Sequence, residues 1–233
     1  MLKPSLHFVN FYRDCLATFH NPFLFNILFY SYKASCQYWN LGKIYFMSAR
    51  KYLLSLSNYI TIKRGDITKE QVDAIVNAAN EELAVGGGVC GAIHRAAGPA
   101  YTEACLKVPQ VRRGVRCPTG EARIVTGGLL PASYVINTVG PVYSSVPNPA
   151  ELLESCYKSV LQVANDNGLR SVSFPAISCG IFGYPLSEAA QIALNSCNKY
   201  HGNVQDIRFV LFGSDVFEAW VACAESLGWK RIE

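Results

Sequence analysis

Two glycine-rich segments carry the residues best suited to chemistry. The first, Gly86-Gly87-Gly88-Val89-Cys90-Gly91, precedes a stretch of helical character. Consecutive glycines let a backbone approach a ligand closely, and a helix start offers unbonded N–H groups and the positive end of a dipole. The chemistry this allows is the binding of an anion. The second segment, Ser178-Cys179-Gly180-Ile181-Phe182-Gly183-Tyr184-Pro185, also lies between an apolar run and a helix. Two such loops on one edge of a sheet would grip a diphosphate from both sides, and Phe182 between glycines would pack on a ribose or base. No Gly-Lys-Ser/Thr occurs, so the P-loop is excluded. Gly86, Gly88 and Gly91 satisfy the dinucleotide fingerprint, yet Asn80 to Val85 separate them from their strand and no acid stands about 20 residues on. Cys90 and His94 lie one helical turn apart, the spacing of a Cys–His nucleophile pair. A structural hydrogen bond is the competing reading of His94.

The elements that position these loops alternate along the chain. Tyr59–Ile62, Asp73–Asn77, Ala122–Thr126, Tyr134–Val139, Ser171–Ile177 and Ile207–Phe212 read as strands, with Pro175 a bulge or the end of pairing. Helices are expected over Cys90–Ala97, Ala100–Lys107, Pro149–Asn167, Pro185–Tyr200 and Asp215–Leu227. This order predicts helices on both faces of a mostly parallel sheet. Half of the 233 residues are hydrophobic, which favours a packed core over disorder. The net charge of +4 is too small for a dedicated nucleic-acid binder. Arg112, Arg113 and Arg116, with Lys107 nearby, form the one basic run, read as a solvated loop. Nine scattered cysteines without a Cys-x-x-Cys pair point to reduced thiols in an intracellular compartment and away from structural zinc.

Up to the shift at Met47–Asn58 the composition differs: Phe and Tyr abound, and Asp14 is the only acid against Lys3, Arg13, Lys33, Lys43, Arg50 and Lys51. The apolar stretch Phe23–Tyr30 falls well short of the ~20 residues that span a bilayer. Residues 1–57 are therefore read as an extension outside the fold: an organellar presequence, a membrane-surface or partner-binding segment, or a sequence upstream of a true start at Met47. Residues 58–233 are expected to form the domain.

Several ordered motifs then resemble one family. They are Gly65-Asp66-Ile67-Thr68, Val72-Asp73-Ala74-Ile75-Val76-Asn77-Ala78-Ala79-Asn80, the glycine loop with Ile93-His94-Arg95-Ala96-Ala97-Gly98-Pro99, Asn137-Thr138-Val139-Gly140-Pro141 and Phe174-Pro175-Ala176-Ile177-Ser178. From Tyr59 onward the chain resembles a macrodomain, most similar to the MacroD-type and bacterial O-acetyl-ADP-ribose deacetylase branch. The resemblance implies a three-layer α/β/α fold with a mixed, mostly parallel central sheet. It also implies ADP-ribose as ligand, with O-acetyl-ADP-ribose or a mono-ADP-ribosylated protein as substrate. No metal, cofactor, nucleic acid or membrane is implied, and the expected state is a monomer in the cytoplasm or nucleus, or in an organelle if the presequence is genuine.

The resemblance also distributes roles. Asp66 accepts from the adenine amino group and Ile67 supplies a backbone donor. Asn80 binds the distal ribose and Asn77 supports its loop. Gly86, Gly87, Gly88, Val89 and Cys90 face the diphosphate and distal ribose. Ser178, Cys179, Gly180, Ile181, Phe182 and Gly183 wrap the phosphates, and Phe212 packs on adenine. Asn80 and Cys90 occupy the catalytic positions. One departure matters: the branch usually carries Asp where this chain has Cys90. A thiol with an ordinary pKa of about 8.5 is a weak acceptor beside a carboxylate, and general-base help is worth about 10²–10⁴-fold. Three outcomes stay open: a hydrolase whose substrate phosphate holds the water, a nucleophilic hydrolase built on Cys90 and His94, and a reader that binds without cleaving.

Overall fold

The structure is a computed structural model that describes residues 49–54 and 58–232. Seven strands form one sheet: β1 (Ala49–Leu53), β2 (Tyr59–Arg64), β3 (Ala74–Ala78), β4 (Ala122–Thr126), β5 (Tyr134–Thr138), β6 (Ser171–Phe174) and β7 (Asp206–Leu211). Their spatial order is β1-β2-β7-β6-β3-β5-β4. The five inner strands are mutually parallel, and the two edge pairs, β1 with β2 and β4 with β5, are antiparallel. Five helices complete the described chain: α1 (Gly88–Ala97), α2 (Pro99–Lys107), α3 (Pro149–Asp166), α4 (Leu186–Tyr200) and α5 (Ser214–Ser226).

Side-chain alternation sorts the strands' residues between two faces. Ala74 and Val76 of β3, Ile136 of β5, Phe174 of β6 and Ile207 and Phe209 of β7 join one core with α3, α4 and α5. Ile75 of β3, Val135 of β5 and Val210 of β7 join a second core with Ile93 and Ala97 of α1 and Tyr101 and Cys105 of α2. The result is the expected α/β/α sandwich. In α3 the buried residues Leu153, Cys156, Tyr157, Val160, Leu161 and Ala164 recur at helical spacing, so one stripe faces the sheet. Tyr157, Phe174, Phe209 and Trp220 then stack in sequence across the first core, with centroid separations of 5.5–6.1 Å between successive rings.

Strand ends match the reading of the sequence closely. Pro175 ends β6, as a residue without an N–H should. The boundary expected at residue 57 is corrected. β1 begins at Ala49 and pairs with β2 from Ala49↔Lys63 to Leu53↔Tyr59. The C-terminal segment braces this edge, with the Leu53 N–H bonded to the Lys230 carbonyl and the Ile232 N–H to the Lys51 carbonyl. Ala49–Leu53 therefore belongs to the domain, and the compact unit starts at Ala49. The presequence, surface-segment and start-site readings fall on residues outside the described ones. Among the described residues, no helix is long and apolar enough to cross a membrane.

Candidate functional site

The parallel strands deliver their carboxyl ends, and the loops that follow them, to one edge of the sheet. β3 leads into Ala79–Gly87, β5 into Val139-Gly140, β6 into Pro175–Pro185 and β2 into Gly65-Asp66. Between these loops lies a cleft of about 230 Å³. Ala78, Ala79, Asn80 and Gly86 to Cys90 line one side, and Ala176, Ser178, Gly180, Ile181 and Phe182 the other, with Gly140 between them. Both glycine-rich segments thus meet across a single cavity.

The cleft's chemistry is that of unspent backbone donors. Gly87 caps α1 without a side-chain bond, and the first bond there runs from the Gly91 N–H to the Gly87 carbonyl. The N–H groups of Gly88, Val89 and Cys90 therefore have no acceptor among the described residues. Across the cleft, the loop closes on itself through Tyr184 N–H to Ser178 O (3.0 Å) and Gly183 N–H to Gly180 O (3.0 Å). That closure leaves the N–H groups of Gly180, Ile181 and Phe182 likewise without acceptors. A helix N-terminus opposite a nest of amides is a site for anionic oxygens. Ser178 adds a buried hydroxyl without a partner, held at φ 65°, a left-handed conformation that non-glycine residues rarely adopt.

Tight packing fixes both walls. A Cβ on Gly91 would stand 2.6 Å from the Gly86 carbonyl oxygen, so only glycine lets α1 start so close to its own loop. A Cβ on Gly140 would overlap Ser178 Oγ and approach Ile177 Cγ2 to 2.7 Å. The motif containing Gly140 was visible in the sequence, but its place in the cleft wall was not anticipated, nor were those of Ala78, Ala79 and Ala176.

Beneath Cys90 lies a buried polar network that joins the two central strands to the helices. Asn77 and Asn137 are register partners on β3 and β5. Asn77 Nδ2 donates to Asn137 Oδ1 (2.9 Å) and Tyr101 Oη (3.1 Å), and reaches Cys90 Sγ at 3.6 Å. The Tyr101 hydroxyl donates to Asn137 Oδ1 at 2.6 Å, and burial drives its pKa far upward. The Cys90 thiol donates to the Ala84 carbonyl at 3.7 Å. Asn77 therefore lies under Cys90, bonded to Asn137 and Tyr101, rather than lining the cleft. Asn80 lines it, while its amide also braces the loop, accepting from Ala84 N–H (3.0 Å) and donating to Ala84 O (2.9 Å).

His94 bonds Thr102 Oγ1 at 2.9 Å and packs 4.7 Å from the Tyr101 ring, with burial lowering its pKa. Its bonding is structural, and no Cys90–His94 pair forms. Asp66 Oδ1 caps the turn through Thr68 N–H (2.9 Å) and Thr68 Oγ1 (2.7 Å). Asp66, Ile67, Cys179 and Gly183 do not line the cleft, and Ile67 is buried in the second core. Phe212 stands at the same edge, 91 % exposed, directly after β7.

Comparison with known proteins decides the family. The Macro domain model matches residues 76–193. A macro domain-containing protein of Vibrio parahaemolyticus is 50% identical over 163 residues, covering 70% of this chain and 95% of that protein. This chain belongs to the macrodomain family. The macrodomain is also 48% identical over 164 residues to a Citrobacter koseri protein named O-acetyl-ADP-ribose deacetylase, covering 69% and 92% of the two chains. Its fold is similar to that of the Oceanobacillus iheyensis macrodomain solved with ADP, at a TM-score of 0.73 and 40% identity over 77% of this chain and 96% of that one. A mutant of the Oceanobacillus protein has been solved with ADPR.

Proposed function

We propose that the macrodomain binds ADP-ribose in this cleft and hydrolyses its esters, either mono-ADP-ribosyl groups on acidic side chains or the acetyl ester of O-acetyl-ADP-ribose. The observation that carries the reading is the double set of acceptorless N–H groups, Gly88 to Cys90 and Gly180 to Phe182, on opposite sides of one cavity. A diphosphate has anionic oxygens on both sides and would satisfy both sets at once. Phe182 and Asn80 would hold the distal ribose, and Asp66 and Phe212 the adenine. Water adds at the distal ester, releasing ADP-ribose and either the free carboxylic acid of the protein or acetate. The name of the Citrobacter relative and the ligands of the Oceanobacillus one support this reading. We place the protein inside the cell, acting as a monomer.

A second reading has its own support. Among the described residues no carboxylate lines the cleft, and the Cys90 thiol is engaged with the Ala84 carbonyl. A site without a base favours a reader that binds ADP-ribose and leaves the ester intact.

Release of ADP-ribose from a glutamate-modified protein, and of acetate from O-acetyl-ADP-ribose, separates the two. The hydrolase reading expects turnover by wild type and a loss of at least ~10-fold in Asn80→Ala, in line with the loss of a positioning contact. Wild type that binds ADP-ribose and stays silent, with Cys90→Asp gaining activity, would establish a reader on a hydrolase scaffold.

A further inference from the structure

The basic run is exposed at Arg112 and Arg113, as a solvated loop should be, and its backbone is held in a defined turn beside the loop that carries Asn80. Val111 N–H bonds Val115 O (2.8 Å) and Val115 N–H bonds Arg112 O (2.9 Å), forming a tight hairpin. Gly114 turns it at φ 74°, and its N–H is held by Gln110 Oε1 at 3.2 Å. The hairpin is anchored to the loop that carries Asn80. The Glu81 carbonyl accepts from Arg116 N–H (2.8 Å) and Cys117 N–H (3.1 Å). Glu81 Oε1 accepts from Thr119 N–H (3.1 Å) and Thr119 Oγ1 (3.2 Å). Arg112 and Arg113 are thereby fixed close to the Asn80–Cys90 end of the cleft.

Their charges are little spent. The Arg112 side chain is 63% exposed, and its one carboxylate contact, at 3.5 Å, is to the Glu81 oxygen already bonded to Thr119. Arg113 is exposed and makes no ion pair among the described residues. Exposed Glu82 lies beside Gly114 at the turn. Val111 and Val85, one on each of the joined loops, are 56% and 61% exposed. A guanidinium presents a planar fork matched to carboxylates, so arginines flanked by exposed valines suit an acidic, partly apolar peptide.

We propose that the Val111–Val115 hairpin is a docking surface for the acidic protein segment that surrounds an ADP-ribosylated side chain. This inference rests on the ADP-ribose reading above, with the distal ribose at the Asn80–Cys90 end. It assigns the macrodomain a modified protein, rather than a free metabolite, as its preferred partner. A free ester such as O-acetyl-ADP-ribose has no peptide to reach the hairpin.

The test compares Arg112→Glu/Arg113→Glu with wild type on three probes: an ADP-ribosyl-glutamate peptide of acidic sequence, O-acetyl-ADP-ribose, and free ADP-ribose measured by calorimetry. The peptide is expected to lose about tenfold in affinity, and in kcat/KM where turnover occurs, since two exposed charges are reversed. The two free ligands should stay within about twofold, and the peptide effect should shrink as salt rises toward ~0.5 M. Equal effects on all three probes, or no effect on the peptide, would overturn the proposal while leaving the ADP-ribose reading intact. Wild type that fails to bind free ADP-ribose would remove both.

Discussion

Alanine at position 140 is expected to weaken ADP-ribose binding by about 100-fold, the size of loss that a ~1 Å displacement of a positioned group produces. The reason is steric. The new methyl group would overlap Ser178 Oγ and press within 2.7 Å of Ile177 Cγ2. The Ser178 hydroxyl can swing aside about χ1, but Ile177 Cγ2 hangs on a stiff β-branched side chain, so relieving that contact shifts the Ile177–Ser178 backbone that leads into the amide nest. Gly140 itself is not at positive φ, so alanine brings no backbone strain of its own at this position. The variant should therefore fold, with most of the damage confined to one wall of the cleft. Adding Ser178→Gly removes the hydroxymethyl contact and suits the positive φ but leaves the Ile177 contact at 2.7 Å, so the double variant should recover only part of the lost affinity. Calorimetry on the three proteins checks this. Wild-type affinity in Gly140→Ala would mean that the wall is softer than its packing implies.

The second large effect is on stability. Asn137→Leu is expected to cost about 3 kcal/mol, because it strands buried polar partners rather than merely deleting a bond. Asn137 is fully buried and accepts at 2.6 Å from Tyr101 and 2.9 Å from Asn77. After substitution the buried Tyr101 hydroxyl loses its acceptor and one Asn77 N–H loses its own. For a domain of this size the loss corresponds to roughly 6–12 °C in Tm. Tyr101→Phe should cost less, about 1–2 kcal/mol, since it removes one group and one contact to each asparagine. Combining the two should cost less than the sum, because the same hydroxyl–amide bond is lost in both single variants. Thermal unfolding followed by circular dichroism reads all three, and strict additivity would contradict a shared network.

The sequence made the parallel core legible because its signals are local. Apolar runs such as Ala74-Ile75-Val76 and punctuation such as Gly98-Pro99 and Pro175 each mark an element without reference to the rest of the chain. β1 was missed for the opposite reason. Arg50 and Lys51 give it no apolar alternation, and its strand character comes from pairing with β2 and with residues 230–232, both of which are set by the fold. The two glycine loops were legible as anion sites, and their meeting in one cleft follows from strand order. What side chains do inside that frame was less so. Asn80 spans Ala84 and Ser178 adopts positive φ within their own short loops, which residue types alone do not specify, while Asn77 is set under Cys90 by its bond to Asn137, 60 residues on. For His94 a structural hydrogen bond is the favoured reading over a pair with Cys90, and the fold supplies it from Thr102, although the partner itself was not legible.

Under the ADP-ribose proposal, main-chain donors on both sides of the cleft hold the ligand. Amide chemical shifts in a titration with ADP-ribose test it most directly, because they report on those groups themselves. The account predicts the largest shifts at Gly88, Val89 and Cys90 and at Gly180, Ile181 and Phe182, saturating together. Shifts confined to one loop, or centred away from this edge of the sheet, would contradict it.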